Sequence, residues 1–158
     1  LFEENIMAQI LACQEDIVLI VDNTIQYHAP ESNKVQDFVI SKNKHQSTRR
    51  KINFDCENII SKIGSNLKPE TATHEFIGLA KFSKNGAEQL LQTYEDCVKN
   101  YSGNLQEAAN INQFKFTDLI QEMIDRGYVA NFLEIHKGWL EIHSTEDIKL
   151  ANHFLSNS

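Results

Sequence analysis

The chain has 158 residues, 41% of them hydrophobic, with 15 basic and 22 acidic side chains and a net charge of −7. That is enough for one domain with a real core, and it excludes a general nucleic-acid binder, whose affinity comes from clustered Lys and Arg. No apolar run is long enough to span a membrane, and Cys13, Cys56 and Cys97 are widely spaced with no Cys-x-x-Cys, which reads as reduced thiols in a cytoplasmic protein without structural zinc.

Ile6, Met7, Ile10 and Leu11 recur at helical spacing and predict an amphipathic helix over residues 4–13. Asp16-Ile-Val-Leu-Ile-Val-Asp22 is a β-branched run bounded by acids, the pattern of a strand buried on both faces, as in parallel sheets. A helix feeding such a strand implies a layered α/β fold. Residues 23–35 read as a polar loop, and 35–40 as a strand. Ser41 to Lys51 is the one basic run, able to meet an anion but by default a solvated loop. Short strands are expected at 52–54 and 58–63, then a loop with Pro69, then a clear strand, Glu75-Phe-Ile-Gly-Leu-Ala-Lys-Phe82.

Residues 84–101 predict the best helix. Ser83 is its N-cap, and Ala87, Leu90, Leu91, Tyr94 and Val98 lie on one face, which should turn inward. Thr117 caps a further helix carrying Leu119, Ile120, Met123 and Ile124, which Gly127 ends in a left-handed conformation. Strands at 129–135 and 139–143 are joined by a turn at Lys137-Gly138. A helix over 145–156 closes the chain, with Ser144 and Asp147 as a capping box. There is no repeat, no glycine-rich phosphate loop and no linker dividing two domains.

The candidate chemistry gathers near the C-terminus. In the predicted strand Glu141 and His143 project from one face, two positions apart, and could hold a hard divalent cation. Imidazole is a poor Mg²⁺ ligand, so His143 suits a phosphate contact or a softer ion such as Mn²⁺. The plainer reading is that both line the solvent face of an edge strand. Asp147 has a sufficient role as an acid in a helix's first turn. Asp22 ends a buried strand and could reach a ligand, but a turn with Asn23 is the favoured reading. Glu75 and Asp118 could bind a cationic amine, with Phe114, Phe116 or Trp139 supplying aromatic surface, although ordinary core packing accounts for most of these rings.

The order of these segments resembles a known family. A strand ending in Val-Asp22 is followed by a polar insertion, Glu75-Phe-Ile-Gly, a long helix, Phe116-Thr-Asp118, and Trp139-Leu-Glu-Ile-His-Ser-Thr-Glu-Asp147. Across nearly all of the chain this is similar to the C-terminal half of nucleotidyltransferases of the GT-A-like, Rossmann-related mixed-sheet fold. The branch it most resembles is the cytidylyltransferases acting on phosphocholine or on phosphonates such as 2-aminoethylphosphonate, some of them fused to a phosphoenolpyruvate mutase. The resemblance implies Mg²⁺-dependent transfer of CMP from CTP to a small phosphorylated or phosphonate amino-alcohol. Glu75, Asp118 and Trp139 would bind the acceptor, and Glu141 and His143 would serve the metal. His143 stands where the family pattern has Asp.

On this resemblance residues 1–158 form the acceptor-binding portion of one domain. The glycine-rich loop, the catalytic Lys and a first metal-binding Asp lie in an N-terminal half outside this chain. The chain alone would then be inactive, and it would leave an exposed sheet edge or face for another polypeptide to cover. A sugar-1-phosphate nucleotidyltransferase fits less well, because Glu-Lys-Pro and Asp-Thr-Gly segments are missing. A degenerate domain of the same fold, binding a ligand or serving assembly without catalysis, is the alternative.

Overall fold

The computed structural model describes residues 2–24, 36–42 and 58–142, together with 145, 148, 149, 151 and 152. Helix α1 (Glu4–Ala12) leads into strand β1 (Ile17–Asp22). Strands β2 (Phe38–Ser41), β3 (Asn58–Gly64) and β4 (His74–Phe82) follow, then α2 (Lys84–Asn100), a 3-10 turn at Ile111–Gln113, α3 (Phe116–Asp125) and β5 (Asn131–Ile135). The strands close into a barrel in the order β1-β4-β2-β3-β5. Among the described strands only the β1–β5 pair is parallel. β1 therefore has a neighbour on each edge.

All six residues of β1 are buried, and two separate cores explain why. Ile17, Leu19 and Val21 point into a cluster with Val39, Ile60, Phe76 and Phe132, closed by Ile120 and Met123 of α3. Val18 and Ile20 face the other way and pack with Ile6 and Ile10 of α1, Leu133 and Ile135. Alternate residues of one strand thus feed opposite cores. Each large side chain so buried contributes roughly 1.5–3 kcal/mol from transfer alone. Leu11, expected on the inner face of α1, is 66% exposed.

β4 crosses β1 with a bulge. Leu19 pairs with Ala80 and Val21 with Phe76, so Ile77, Gly78 and Leu79 lie opposite Ile20 alone. Gly78 sits at φ +80°, a conformation that glycine adopts without a steric cost.

The helices depart from expectation in instructive ways. Ser83 caps α2 as expected, its Oγ accepting from the Gly86 amide at 3.0 Å. The face it buries is rotated from the expected one: Leu90 packs on the first core as expected, beside buried Gly86, Thr93 and Cys97, while Ala87, Leu91, Tyr94 and Val98 are exposed. A Cβ on Gly86 would stand 2.2 Å from the Asp16 carbonyl oxygen, so the helix lies against the start of β1 too closely for any larger residue. α3 is capped by Asp118 rather than Thr117. The Asp118 carboxylate accepts from the Lys115 amide at 2.9 Å and the Glu107 amide at 3.0 Å. Gly127, at φ +93°, ends α3 as expected, with the Tyr128 amide donating back to the Met123 carbonyl.

Two expectations on cysteines and strands are corrected. Cys13 is disulfide-bonded, whereas Cys97 is a free, buried thiol. The strand expected at 139–143 does not form. Trp139 makes one isolated bridge to Phe2, and residues 140–142 carry no strand structure. Both edges of β5 are already taken by β1 and β3, and Lys137 and Gly138, at φ +64° and +84°, turn the chain away from it. The strand expected at 52–54, most of the basic run, and His143, Ser144, Glu146 and Asp147 lie outside the described residues. The closing helix is described only at 145, 148, 149, 151 and 152, which are helical.

Candidate functional site

The end of β1 is where acidic and aromatic groups meet. Asp22 is the last residue of the strand and is fully buried. Its Oδ1 accepts from the Thr24 amide and hydroxyl, both at 2.8 Å, closing the turn that the Asp-Asn pair predicted. The Lys137 amide donates to the same oxygen at 3.4 Å. Its Oδ2 accepts from the Trp139 indole N–H at 2.6 Å. Burial pushes the Asp22 carboxyl up, but these donors outweigh it and hold the group below the usual aspartate range.

Glu75 is the direct cross-strand partner of Asp22, so the two carboxylates share one face of the β1–β4 pair. Glu75 is buried and accepts from Gln36 Nε2 at 3.0 Å. On the same face the β4 bulge opens a groove of about 360 Å³, lined by Phe2, Ile77, Gly78, Leu79, Trp139 and residues 140–142. Trp139 belongs to both features: its ring walls the groove while its N–H is fixed on Asp22. Glu141 lies at the exposed side of the groove.

The adjacent residue, His74, faces the opposite way, into the first core, with its ring 4.8 Å from that of Phe132. Its Nε2 meets Glu134 Oε2 at 2.8 Å, and its Nδ1 meets the Thr73 hydroxyl at 2.9 Å. Glu134 Oε1 accepts from Asn23 Nδ2 at 2.7 Å, and Asn23 Oδ1 lies 2.8 Å from His136 Nδ1. This polar chain ties the ends of β1, β4 and β5 together.

Of the acceptor-binding residues expected from sequence, Glu75 and Trp139 come to the same face of the end of β1. Asp118 does not join them, since its carboxylate is engaged by the backbone at the start of α3. Phe116 stacks on Phe76 at 6.0 Å and meets Phe82 edge-on at 6.2 Å, covering the first core from outside while remaining 40% exposed. Among the described residues no group of three or more His, Cys, Asp or Glu is arranged to hold a metal ion. His143 is outside them, so its relation to Glu141 is not described. Asp22 is a poor fit to Mg²⁺, because its oxygens already accept from several donors. Glu141, an oxygen ligand beside open space, fits the ion's preference better.

The sequence undervalued Asp22, whose contact with Trp139 spans 117 positions and leaves no local trace. The usable signal was an acid ending a strand buried on both faces. No protein-family model matches this chain, and comparison with curated proteins finds no match.

Proposed function

We propose that this chain is the acceptor-binding portion of a Mg²⁺-dependent cytidylyltransferase of GT-A-like fold, which transfers CMP from CTP to phosphocholine or 2-aminoethylphosphonate. One observation carries the reading beside the sequence resemblance: the Trp139 ring, held by its hydrogen bond to buried Asp22, walls a groove of about 360 Å³ with Glu141 at its edge. An aromatic face beside a carboxylate attracts a cationic amine, and the groove is of a size for a small amino-alcohol phosphate. Glu141 would hold the ion, which when bound neutralises phosphate charge. The protein's own contribution is placement: Trp139 fixes the amine end, and Asp22 fixes Trp139. CTP would be bound by a polypeptide segment outside this chain.

The saturated Asp22 carboxylate favours a second reading, a domain of the same fold that binds the amine-bearing ligand without catalysis. Among the described residues no helix is long and apolar enough to cross a membrane. Cytoplasmic residence, expected from unpaired cysteines, loses that support with Cys13 in a disulfide.

The test is pyrophosphate release by the protein that carries this chain, with CTP, Mg²⁺ or Mn²⁺, and either acceptor. Acceptor-dependent release that falls at least about tenfold in Trp139→Ala and in Glu141→Ala supports the transferase reading. Saturable acceptor binding without release supports the second. Neither binding nor release overturns both.

A further inference from the structure

The groove beside Trp139 has a second aromatic wall. Phe2 and Trp139 are partners in an isolated antiparallel bridge, and partners directly opposite one another turn their side chains to the same side. Both line the groove, and Phe2 is 41% exposed. Ile77 and Leu79 of β4 line it too, with Leu140 and Ile142. Gly78, between the two β4 residues, carries no side chain into this space, and a Cβ there would meet nothing within 4 Å. The β4 bulge thus leaves room along an apolar wall.

The side chains on the groove offer little hydrogen bonding. Among the described residues that line it, only Trp139 and Glu141 carry a polar side-chain atom. The Trp139 N–H already donates to Asp22, and an indole has nothing to accept with. Glu141 is the one carboxylate, and in the reading above, on which this inference rests, it serves the metal ion. No lining side chain is then left to accept from an ammonium N–H. A primary ammonium brings three such donors, and taking them out of water without partners costs free energy. A trimethylammonium brings none. Its methyl groups pack on apolar walls, and its charge is attracted to the faces of aromatic rings. We propose that the groove selects a quaternary ammonium over a primary one, with Phe2 and Trp139 as its two aromatic walls. Of the two acceptors named above, phosphocholine is then the substrate and 2-aminoethylphosphonate is not.

Calorimetric titration of the protein that carries this chain, with Mg²⁺ and without CTP, tests the proposal. Phosphocholine is compared with phosphoethanolamine, which lacks only the three methyl groups, and with the analogue in which an uncharged tert-butyl group replaces the trimethylammonium. Phosphocholine should bind at least about tenfold more tightly than phosphoethanolamine and about fivefold more tightly than the tert-butyl analogue. Phe2→Leu keeps an apolar wall and removes its ring. It should weaken phosphocholine about threefold and leave the tert-butyl analogue unchanged, which also shows that the variant is folded. Phosphoethanolamine binding as tightly as phosphocholine, no binding of phosphocholine, or a Phe2→Leu variant that binds phosphocholine as the wild type does overturns the proposal. Pyrophosphate release separates it from the transferase reading. Release with 2-aminoethylphosphonate as efficient as with phosphocholine overturns the selectivity alone, and selective phosphocholine binding without release overturns the transferase reading alone.

Discussion

α2 and α3 pack against one another, both have a clear apolar stripe, and they use it in opposite ways. α3 turns Ile120 and Met123 into the barrel core, with Ile124 packed beside them. α2 turns Leu91, Tyr94 and Val98 out and presents Gly86, Leu90, Thr93 and Cys97 inward. The difference lies in what each helix must fit against. The start of α2 meets the Asp16 backbone with no room for a Cβ, and only Gly86 can sit there. The rest of α2 is tied to α3 by polar groups. Arg126 reaches Asp96 at 3.2 Å and Glu122 at 2.9 Å, and Glu122 also accepts from the Tyr101 hydroxyl at 2.9 Å. Close approach at Gly86, the contact of Leu90 with the barrel core and polar ties to α3 together set the orientation of α2.

Removing side chains from the two stripes should therefore have very different costs. Ile120→Ala, at a fully buried position, should lose about 2–5 kcal/mol in urea unfolding. Leu91→Ala, at an exposed position of α2, should stay within about 0.5 kcal/mol of wild type. Equal losses would mean that the α2 stripe is buried after all. Gly86→Ala should come next, at about 1–3 kcal/mol from overpacking against Asp16, although alanine is the better helix former. Its thermal midpoint should fall; a rise would show that α2 is free to shift. Asp118→Ala should cost about 1 kcal/mol through the lost cap of α3, with no change in acceptor binding. A binding defect without a stability change would return Asp118 to the functional site.

The smallest effect concerns pH. The Asp22 carboxyl is held below its usual range, so its folded pKa lies below its unfolded one. The stability it contributes is present above the unfolded value, near pH 4, and is lost as pH falls through the folded one. Asp22→Asn should flatten the acid side of the stability curve below about pH 4 while leaving its slope above pH 6 unchanged. An unchanged acid limb would mean that the carboxylate gains nothing from its donors.

What could be read from sequence was mostly what local chemistry decides. β1, β3 and β4 were legible from bounded apolar runs, the start of α2 from Ser83 and the end of α3 from Gly127. The burial of β1 on both faces was legible too, but its antiparallel pairing with β4 was not, since register depends on partners far along the chain. The orientation of α2 was illegible because periodicity reveals an apolar face without saying what it meets. Trp139 to His143 alternates like a strand, yet no free edge was there to receive it. Within the candidate site Glu75 and Trp139, each expected to bind an acceptor, lie near the end of β1, a proximity no local pattern announced, while the buried Asp22 that holds Trp139 in place was read mainly as a turn residue. That contact is a long-range hydrogen bond, for which no motif stands.

Trp139 is the only tryptophan in the chain, and its indole N–H donates to a buried carboxylate while its ring lines open space. Intrinsic fluorescence excited at the tryptophan band therefore comes from one place in the molecule. Anything that enters the groove alters the solvent on one side of the ring, and anything that breaks the bond to Asp22 alters the field on the other. The protein carries its own optical reporter at the point where its chemistry is proposed to occur, with no label to attach.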